Sequence, residues 1–510
     1  MTNRGFILAA ATQLGLAAAA VVCAAVLADR AQAASNDLPP SLIRTLDRFD
    51  LGRDGLSVFV VDVATGQPVI DYASDVPRNP ASTMKLVTTY ASLDALTPGH
   101  TWETEVFALG EIDADGVLQG DLGLRGGGDP YLVESVLWQL LTELRRRGVN
   151  HIAGDIVIDN SRFELEPEDP GAFDGEPLRA YNVGPDAMLV NFKVVQFWFE
   201  PVPESRVVRI TSLPELPNLE VVNDIELVRG RCRGYLRGIE IDAETDGDRV
   251  RFHGRFPDGC RRYSLGRSLL THEDYAYGLI RQSWERLGGT ISGGVRRAPI
   301  DTEVEPLMNW PSRPYGEVIR LINKHSNNVM TRQVFLTLGA HYFGEPASPD
   351  KAREAVGQWL DDRGLEFPGF YIDNGSGLSR DSRITARSLA ALLGHAWRSP
   401  FMPEFLSSLS LAGTDGTFRR RLRRGPLTGR AHLKTGRLDD VSAMAGYLMA
   451  NDGRRYIVVT LHNARGVHRG GGEAVQDALL RWLYAYTPRE PGPVMTQVPE
   501  DSADAMTGSD

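Results

Sequence analysis

The chain has 510 residues and a formal net charge of −11. This acidic balance argues against general binding to nucleic acid, and the length predicts at least two domains. The arginine-rich run at residues 419–424 indicates a solvated surface rather than a nucleic-acid patch. Only five of the 55 basic residues are lysine. Because lysine, unlike arginine, can lose its proton in a pocket and act as a base, the lysine positions are informative.

The two ends of the chain predict export and a disordered tail. Arg4 precedes an apolar run from Phe6 to Leu27, and Ala31-Gln32-Ala33 is a small-x-small sequence, so residues 1–33 are predicted to be a signal peptide. The run is also long enough for a retained membrane anchor, although the cleavage site favours removal. Residues 488–510 are acidic and lack aromatics, which predicts disorder. We therefore expect a periplasmic protein with at most peripheral membrane contact.

The first folded segment predicts a β-hairpin followed by a helix. Leu56–Val63 and Pro68–Tyr72 are β-forming runs joined by a turn, and a helix is expected from Pro80 to Leu96. Residues 101–267 then change to short alternating segments separated by Gly, Pro and Asp, with one helix near 132–147. This texture predicts inserted, β-rich material.

The rest of the chain returns to helices and ends in strands. Helical periodicity appears at 275–287, 315–338, 350–362 and 386–397, strand patterns at 432–435, 442–449 and 456–462, and a last helix at 472–484. The predicted fold class is α+β, with an antiparallel sheet built from both chain ends and flanked by helices. One domain would comprise residues 34–100 and 268–487, and the insertion residues 101–267.

The first candidate site is Ser82-Thr83-Met84-Lys85 at a predicted helix start. Ser82 and Lys85 are three residues apart, so their side chains share one helix face, and lysine could activate the serine as a nucleophile. A helix N-terminus and a second nearby cation would both favour a neutral lysine. The alternative is that Ser82 is only a helix cap, as we predict for Ser348 in Ser348-Pro349-Asp350-Lys351.

Two later motifs change the balance between these alternatives. Ser326 and Asn328 offer a hydroxyl that could relay a proton and an amide that could hold a substrate amide, or else form a polar loop or helix cap. Lys434-Thr435-Gly436 offers a cation, a hydroxyl and close backbone approach for an anionic substrate end, or else a lysine-guarded strand edge. The three motifs in this order indicate lysine-assisted serine acylation.

With these motifs the chain resembles the penicillin-binding serine peptidases. Further segments make it similar to the class C low-molecular-mass group, the D-alanyl-D-alanine carboxypeptidase/endopeptidases; they are residues 125–130, 154–159, 181–185, 373–380 and 411–417. The resemblance implies a penicillin-binding/β-lactamase-like transpeptidase domain with a large insertion. It also implies peptidoglycan stem peptides and cross-links as substrates, β-lactam antibiotics as covalent inhibitors, and neither cofactor nor metal.

The resemblance also implies catalytic roles. Ser82 attacks the penultimate D-alanine carbonyl, Lys85 accepts its proton, and Ser326 with Lys434 protonates the departing amine. Asn328 completes the catalytic set. Thr435, Gly436 and Arg437 are expected to contact substrate, and the backbone N–H groups of residues 82 and 437 would form the oxyanion hole.

Four further residues carry expectations. Arg437 replaces the small hydroxyl residue that relatives place there, and its side chain is expected to narrow the pocket or to bind the terminal carboxylate. Asp159 and Arg380 are implied to hold the charged end of a diaminopimelate side chain, or else are a turn aspartate and a surface arginine. Cys232 and Cys260 form either a disulfide or two buried thiols.

Two other functions remain as alternatives. The first is a β-lactamase or esterase on the same scaffold, against which the large insertion argues. The second is a non-catalytic cell-wall binding protein, against which the joint presence of all three motifs argues.

Overall fold

The computed structural model describes residues 37–232 and 238–487. The predicted signal peptide at 1–33 and the predicted tail at 488–510 lie outside these ranges. Within the described ranges, no helix is long and apolar enough to cross a membrane.

The first sheet is antiparallel and joins the two ends of the chain. Its strands are β1 (Leu56–Asp62), β2 (Pro68–Tyr72), β16 (Ser410–Leu411), β17 (Ala431–Leu438), β18 (Val441–Met449) and β19 (Arg455–Asn463). Their spatial order is β16-β17-β18-β19-β1-β2. The predicted hairpin and the predicted sheet from both chain ends are therefore confirmed.

Helices cover both faces of this sheet. In chain order, the helices of the described residues are α1 (Pro40–Arg48), α2 (Lys85–Leu96), α3 (Glu134–Arg146), α4 (His272–Arg286), α5 (Tyr315–His325), α6 (Asn328–Phe343), α7 (Pro349–Asp362), α8 (Ala386–Arg398), α9 (Met402–Ser408) and α10 (Gly471–Tyr484).

The alternation of side chains along β1 separates two hydrophobic cores. Val58 and Val60 face the core formed with α1 and α10, whereas Phe59 faces the larger core formed with α2 and α5–α9. In the larger core the ring of Tyr90 meets Trp359 edge-on, with centroids 5.5 Å apart. Each fully buried side chain of this size contributes about 1.5–3 kcal/mol, so the larger core fixes α2, which begins at the first candidate motif.

The inserted region contains two further sheets. A seven-stranded sheet is formed by β3 (Glu103–Ile112), β4 (Val117–Arg125), β5 (His151–Ile152), β6 (Ile156–Asp159), β13 (Thr290–Ile291), β14 (Val295–Arg297) and β15 (Met308–Pro311). A six-stranded sheet is formed by β7 (Val195–Val202), β8 (Val207–Leu213), β9 (Glu220–Val228), β10 (Ile239–Asp242), β11 (Arg249–Pro257) and β12 (Tyr263–Arg267). A disulfide joins Cys232 to Cys260, with their Cα atoms 4.6 Å apart, so these residues are not free thiols.

Elements that follow the predicted boundary at residue 267 pair and pack with the inserted region. Strand β15 pairs with β3 and β14 pairs with β6, while Trp284 of α4 lies in the core of the insertion. Helical periodicity identified α4 correctly but carries no information about the sheet against which a helix packs. We propose that the insertion spans residues 101–311 and that the first domain resumes with α5.

The predicted single helix at 315–338 is wrong, because it is two helices. Ser326 ends α5 in the left-handed conformation (φ 56°), and the Asn327 side chain caps α6 by accepting a hydrogen bond from the Met330 N–H. Apolar periodicity continues on both sides of the break, so the periodicity alone does not indicate where the first helix ends. The break lies at the second candidate motif.

Candidate active site

The first motif lies where a short 3₁₀-helix (Ala81–Met84) runs into α2. Lys85 is completely buried, and its Nζ lies 3.1 Å from Ser82 Oγ, 2.7 Å from Asn328 Oδ1 and 2.5 Å from the Ser376 carbonyl oxygen. The structure thus brings together the Ser82 hydroxyl, the Lys85 amine and the Asn328 amide, although Lys85 and Asn328 are 243 residues apart in the chain.

The surroundings of Lys85 favour its neutral form. Burial, and secondarily the nearby Lys434, hold the pKa of Lys85 well below its ordinary value. A neutral amine has two N–H donors and one lone pair. Because Asn328 Oδ1 and the Ser376 carbonyl can accept the two donors, the lone pair is left for the Ser82 hydroxyl. This geometry suits a general base.

Asn328 is engaged at both ends of its side-chain amide. Its Oδ1 accepts from Lys85, and its Nδ2 donates to the Tyr181 carbonyl oxygen at 2.9 Å. Asn328 therefore positions Lys85 through its Oδ1, while its contact with a substrate amide stays a prediction, for which Nδ2 has a second N–H donor. Residue 181 belongs to the insertion, so the insertion reaches the site.

The second and third motifs meet through one hydrogen bond. Lys434 is completely buried on β17, and its Nζ lies 2.7 Å from Ser326 Oγ and 2.9 Å from the Thr435 carbonyl oxygen. Burial lowers the pKa of Lys434 to about 7. An amine of this pKa, bonded to a hydroxyl, can deliver or accept a proton near neutral pH.

Gly436 allows β17 to lie against the 3₁₀-helix that carries Ser82. A Cβ atom at this position would lie 2.5 Å from the Pro80 carbonyl oxygen and 3.0 Å from the Ser82 nitrogen. No larger residue fits without moving the backbone of one element. This close approach is what an oxyanion hole made of the N–H groups of residues 82 and 437 requires.

The Arg437 side chain lies near α10. It is 62% exposed, is 4.0 Å from Glu473 in the first turn of α10, and pairs across the sheet with Ser442, which bonds to α10. Both expected side-chain roles, narrowing the pocket and binding the terminal carboxylate, stay predictions. The predicted role of its backbone N–H is unaffected.

Asp159 serves the fold of the insertion rather than the site. It is 1% exposed; its Oδ2 accepts from Arg125 Nε at 2.8 Å and from the Ile300 N–H, and its Oδ1 accepts from the Ser161 N–H. Burial acts to raise the pKa of this carboxyl, but these hydrogen bonds, led by that from Arg125, hold it below its ordinary value. The predicted substrate contact of Asp159 is replaced by this buried ion pair.

Arg380, by contrast, borders the catalytic region. Its guanidinium lies over the Phe173 ring, 4.7 Å from the centroid, and donates to the Asp439 carbonyl oxygen. It lines a cleft in which the acidic side chains are those of Glu168, Asp169, Asp373 and Asp381. The same segment supplies the Ser376 carbonyl that accepts from Lys85.

Three contacts of the site were not identified from the sequence. The carbonyl groups of Ser376 and Tyr181 are backbone atoms, so their residue types carry no signal of this role. The Thr417 hydroxyl lies 2.8 Å from the Thr435 hydroxyl and does carry a signal, since it ends the segment 411–417.

The second Ser-x-x-Lys sequence is a helix cap, as predicted. The Ser348 hydroxyl accepts from the Lys351 N–H, and Lys351 Nζ donates to the carbonyl oxygens of Gly344 and Pro346. It therefore provides a matched control for Ser82.

Replacing Lys434 should change how stability depends on pH. Between pH 7 and the ordinary lysine pKa of 10.5, Lys434 is neutral when folded and charged when unfolded, so the unfolded chain binds one more proton. Wild-type stability should therefore rise across this window by up to roughly 1 kcal/mol per pH unit, relative to Lys434→Met. Thermal unfolding of both proteins from pH 7 to 10 measures this; parallel Tm curves would contradict it.

Asp159→Asn should destabilise the insertion. It removes the closer of the two carboxylate partners of Arg125, at 2.8 Å, and leaves Glu105 at 3.4 Å, so we expect a loss of up to about 3 kcal/mol. Urea unfolding followed by tryptophan fluorescence measures the loss. The control is Asp248→Asn, an exposed aspartate of the same region, which should change stability by less than about 0.5 kcal/mol. Equal effects of the two substitutions would count against the structural role.

Comparisons with known proteins agree with this geometry. The model of the D-Ala-D-Ala carboxypeptidase 3 (S13) family matches residues 42–486. The chain is 25% identical to the D-alanyl-D-alanine carboxypeptidase DacB of Haemophilus influenzae, over 79% of this chain and 84% of that protein. It is 28% identical to the D-alanyl-D-alanine carboxypeptidase of an Actinomadura species, over 90% of this chain and 87% of that protein.

A solved structure shows the same fold. The crystal structure of penicillin binding protein 4 (dacB) from Haemophilus influenzae superposes with a TM-score of 0.74 at 23% identity, covering 87% of this chain and 99% of that one. The predicted penicillin-binding fold with a large insertion is thereby confirmed. The chain belongs to the D-Ala-D-Ala carboxypeptidase 3 (S13) family and is a serine peptidase of the class C low-molecular-mass penicillin-binding group.

Proposed function

We propose that this enzyme removes the terminal D-alanine of peptidoglycan stem peptides through an acyl-enzyme on Ser82, and that it also cleaves DD-cross-links. The observation that carries the proposal is the position of the buried Lys85 amine, 3.1 Å from Ser82 Oγ with its other two contacts on carbonyl acceptors. This arrangement supplies a base to the serine, because burial favours the uncharged form of the Lys85 amine.

Acylation begins when Lys85 takes the Ser82 proton. The Ser82 oxygen attacks the carbonyl of the penultimate D-alanine, and the developing oxyanion accepts hydrogen bonds from the N–H groups of residues 82 and 437. When the C–N bond breaks, the leaving amine takes the Ser326 hydroxyl proton, and Ser326 regains one from Lys434 at 2.7 Å. Water then attacks the ester and gives its proton through Ser326 to Lys434, while the departing Ser82 oxygen takes back the proton held by Lys85, so that both lysines return to their starting states.

The substrate's terminal carboxylate would lie beside β17, next to Thr435 and Thr417. Thr435 and Thr417 present two hydroxyls 2.8 Å apart, and Lys434 supplies positive charge next to them when protonated. An arriving anion would favour protonated Lys434 and would thereby prepare the donor for the leaving amine. Substrate binding and proton delivery are coupled in this proposal.

The side chain of the stem peptide would extend toward Arg380. The cleft is lined by several acidic side chains and by two arginines, Arg380 and Arg332. Because Arg332 is already bonded to Glu168, Arg380 is the arginine available to a group that carries both an amine and a carboxylate. We propose that Arg380 binds the carboxylate of diaminopimelate, with the acidic partner drawn from this cleft rather than from Asp159.

A periplasmic location is part of the proposal. Peptidoglycan lies outside the cytoplasmic membrane, so its hydrolysis requires export. The predicted signal peptide at residues 1–33 and the disulfide between Cys232 and Cys260 both support an oxidising, exported setting.

Covalent labelling with fluorescent penicillin tests the nucleophile. Purified mature protein should be labelled stoichiometrically, Ser82→Ala should lose labelling, and Ser348→Ala should keep it while losing about 1 kcal/mol of stability as its cap is removed. Mass spectrometry of the labelled peptide identifies the site. Labelling that survives Ser82→Ala would reject the assignment, and an unlabelled wild type would favour a non-catalytic wall-binding protein.

Purified muropeptides test the substrate. We expect release of D-alanine from pentapeptide monomers and conversion of cross-linked dimers to monomers; D-alanine release without monomer formation would remove the endopeptidase half. Arg380→Ala should raise KM about tenfold for diaminopimelate peptides by removing a charge-assisted contact, with little change for lysine-containing peptides. Equal losses on both peptides would contradict the role of Arg380. Rapid turnover of a cephalosporin would favour a β-lactamase.

A further inference from the structure

Lys324 is a buried lysine beside the site that the reaction does not use directly. It lies in the last turn of α5, two residues before Ser326, and its side chain is only 13% exposed. Its Nζ donates to Asp415 Oδ2 at 2.6 Å and to the Leu409 carbonyl oxygen at 2.9 Å. The pair ties the end of α5 to the loop that follows β16.

Asp415 also bonds to the backbone of its own loop. Its second oxygen, Oδ1, accepts from the Leu411 N–H at 2.7 Å. Burial acts to raise the pKa of this carboxyl, but the hydrogen bonds from Leu411 and Lys324 hold it below its ordinary value. The carboxylate is thus ionised and bonded on both oxygens.

The loop is pressed against α5 at the next residue. A Cβ atom on Gly416 would lie 2.3 Å from Ser410 Oγ and 2.9 Å from the Lys324 carbonyl oxygen, and the residue has a φ of +58°. Only glycine meets both demands. Ser410 Oγ also accepts from the Thr417 N–H at 3.1 Å, which fixes the backbone of Thr417.

These contacts connect Lys324 through Asp415 and Thr417 to Thr435 and Lys434, and from there back to Ser326 on the same helix end. The Thr417 hydroxyl lies 2.8 Å from that of Thr435, and Lys434, the neighbour of Thr435, bonds Ser326 at 2.7 Å. Ser326 follows Lys324 by two residues, which completes the connection through α5. A displacement of the Lys324–Asp415 contact would therefore move Thr417 relative to Thr435.

We propose that the Lys324–Asp415 ion pair is a positioning pair that holds the Thr417 hydroxyl beside Thr435, so that both hydroxyls contact the terminal carboxylate of the substrate. Thr417 is then a specificity-determining residue. A carboxylate offers two acceptor oxygens, which matches two adjacent hydroxyl donors. This inference rests on the proposed D-alanine carboxypeptidase activity.

Two peptides that differ only at the C-terminus test the proposal. One ends in the D-alanyl-D-alanine carboxylate and the other in the corresponding carboxamide. For Lys324→Met and Thr417→Val we expect kcat/KM to fall about 10- to 100-fold on the carboxylate, mainly through KM, and less than about threefold on the carboxamide. Lys324→Arg should recover most of the loss, and the double variant Lys324→Met/Thr417→Val should be no worse than the worse single variant.

The controls separate this inference from its alternatives. Lys351→Met, at the lysine of the second Ser-x-x-Lys sequence, should leave the ratio of kcat/KM on the carboxylate peptide to that on the carboxamide peptide at the wild-type value. Titration with fluorescent penicillin counts competent Ser82 sites in each preparation, so rates are compared per active site. If Lys324→Met does not fold, Asp415→Asn removes the same ion pair with little change in shape.

Two results would overturn the inference. Equal losses on both peptides would mean that the pair only stabilises the fold, and additive effects in the double variant would mean that Lys324 does not act through Thr417. Neither result affects the proposed function, which fails instead if the wild type neither binds penicillin nor releases D-alanine.

Discussion

The burial of one amine, that of Lys85, is the constraint on which the rest of the site depends. Transfer of a charged ammonium into such a position is costly, so burial lowers the pKa of Lys85 and favours its neutral form. The carbonyl acceptors at Asn328 and Ser376 then satisfy the two remaining donors and orient the lone pair toward Ser82. Three separate parts of the chain must converge for this to happen, which is why the catalytic residues are so far apart in sequence.

The fold supplies this convergence through the sheet built from both chain ends. Pairing of β1 with β19 and of β17 with β18 brings the late Lys434 strand against the early 3₁₀-helix, and Gly436 permits the contact. The insertion is more than a remote addition, because its residue 181 accepts a hydrogen bond from Asn328. The Lys324–Asp415 ion pair connects α5 to the loop that carries Thr417, whose hydroxyl lies beside Thr435.

The sequence predicted most where a rare residue type stands within a motif of fixed spacing. Lysine is rare in this chain, so Lys85 and Lys434 within spaced motifs predicted the catalytic centre, and two β-forming runs joined by a turn predicted the β1–β2 hairpin. It was least informative where tertiary context decides. A buried ion pair and a ligand-binding aspartate look alike in sequence, which explains Asp159, and the break at Ser326 depends on backbone conformation within an uninterrupted apolar pattern.

The scarcity of lysine also makes the central claim directly measurable. With ¹³Cε-labelled lysine, the protein has only five lysine signals, and comparison with Lys85→Met assigns the one of interest. We predict that the Lys85 signal changes from the ammonium to the neutral-amine position well below the ordinary lysine pKa of 10.5. A Lys85 signal that stays in the ammonium position up to about pH 10 would contradict this prediction, because burial would then not have lowered the pKa of the proposed base.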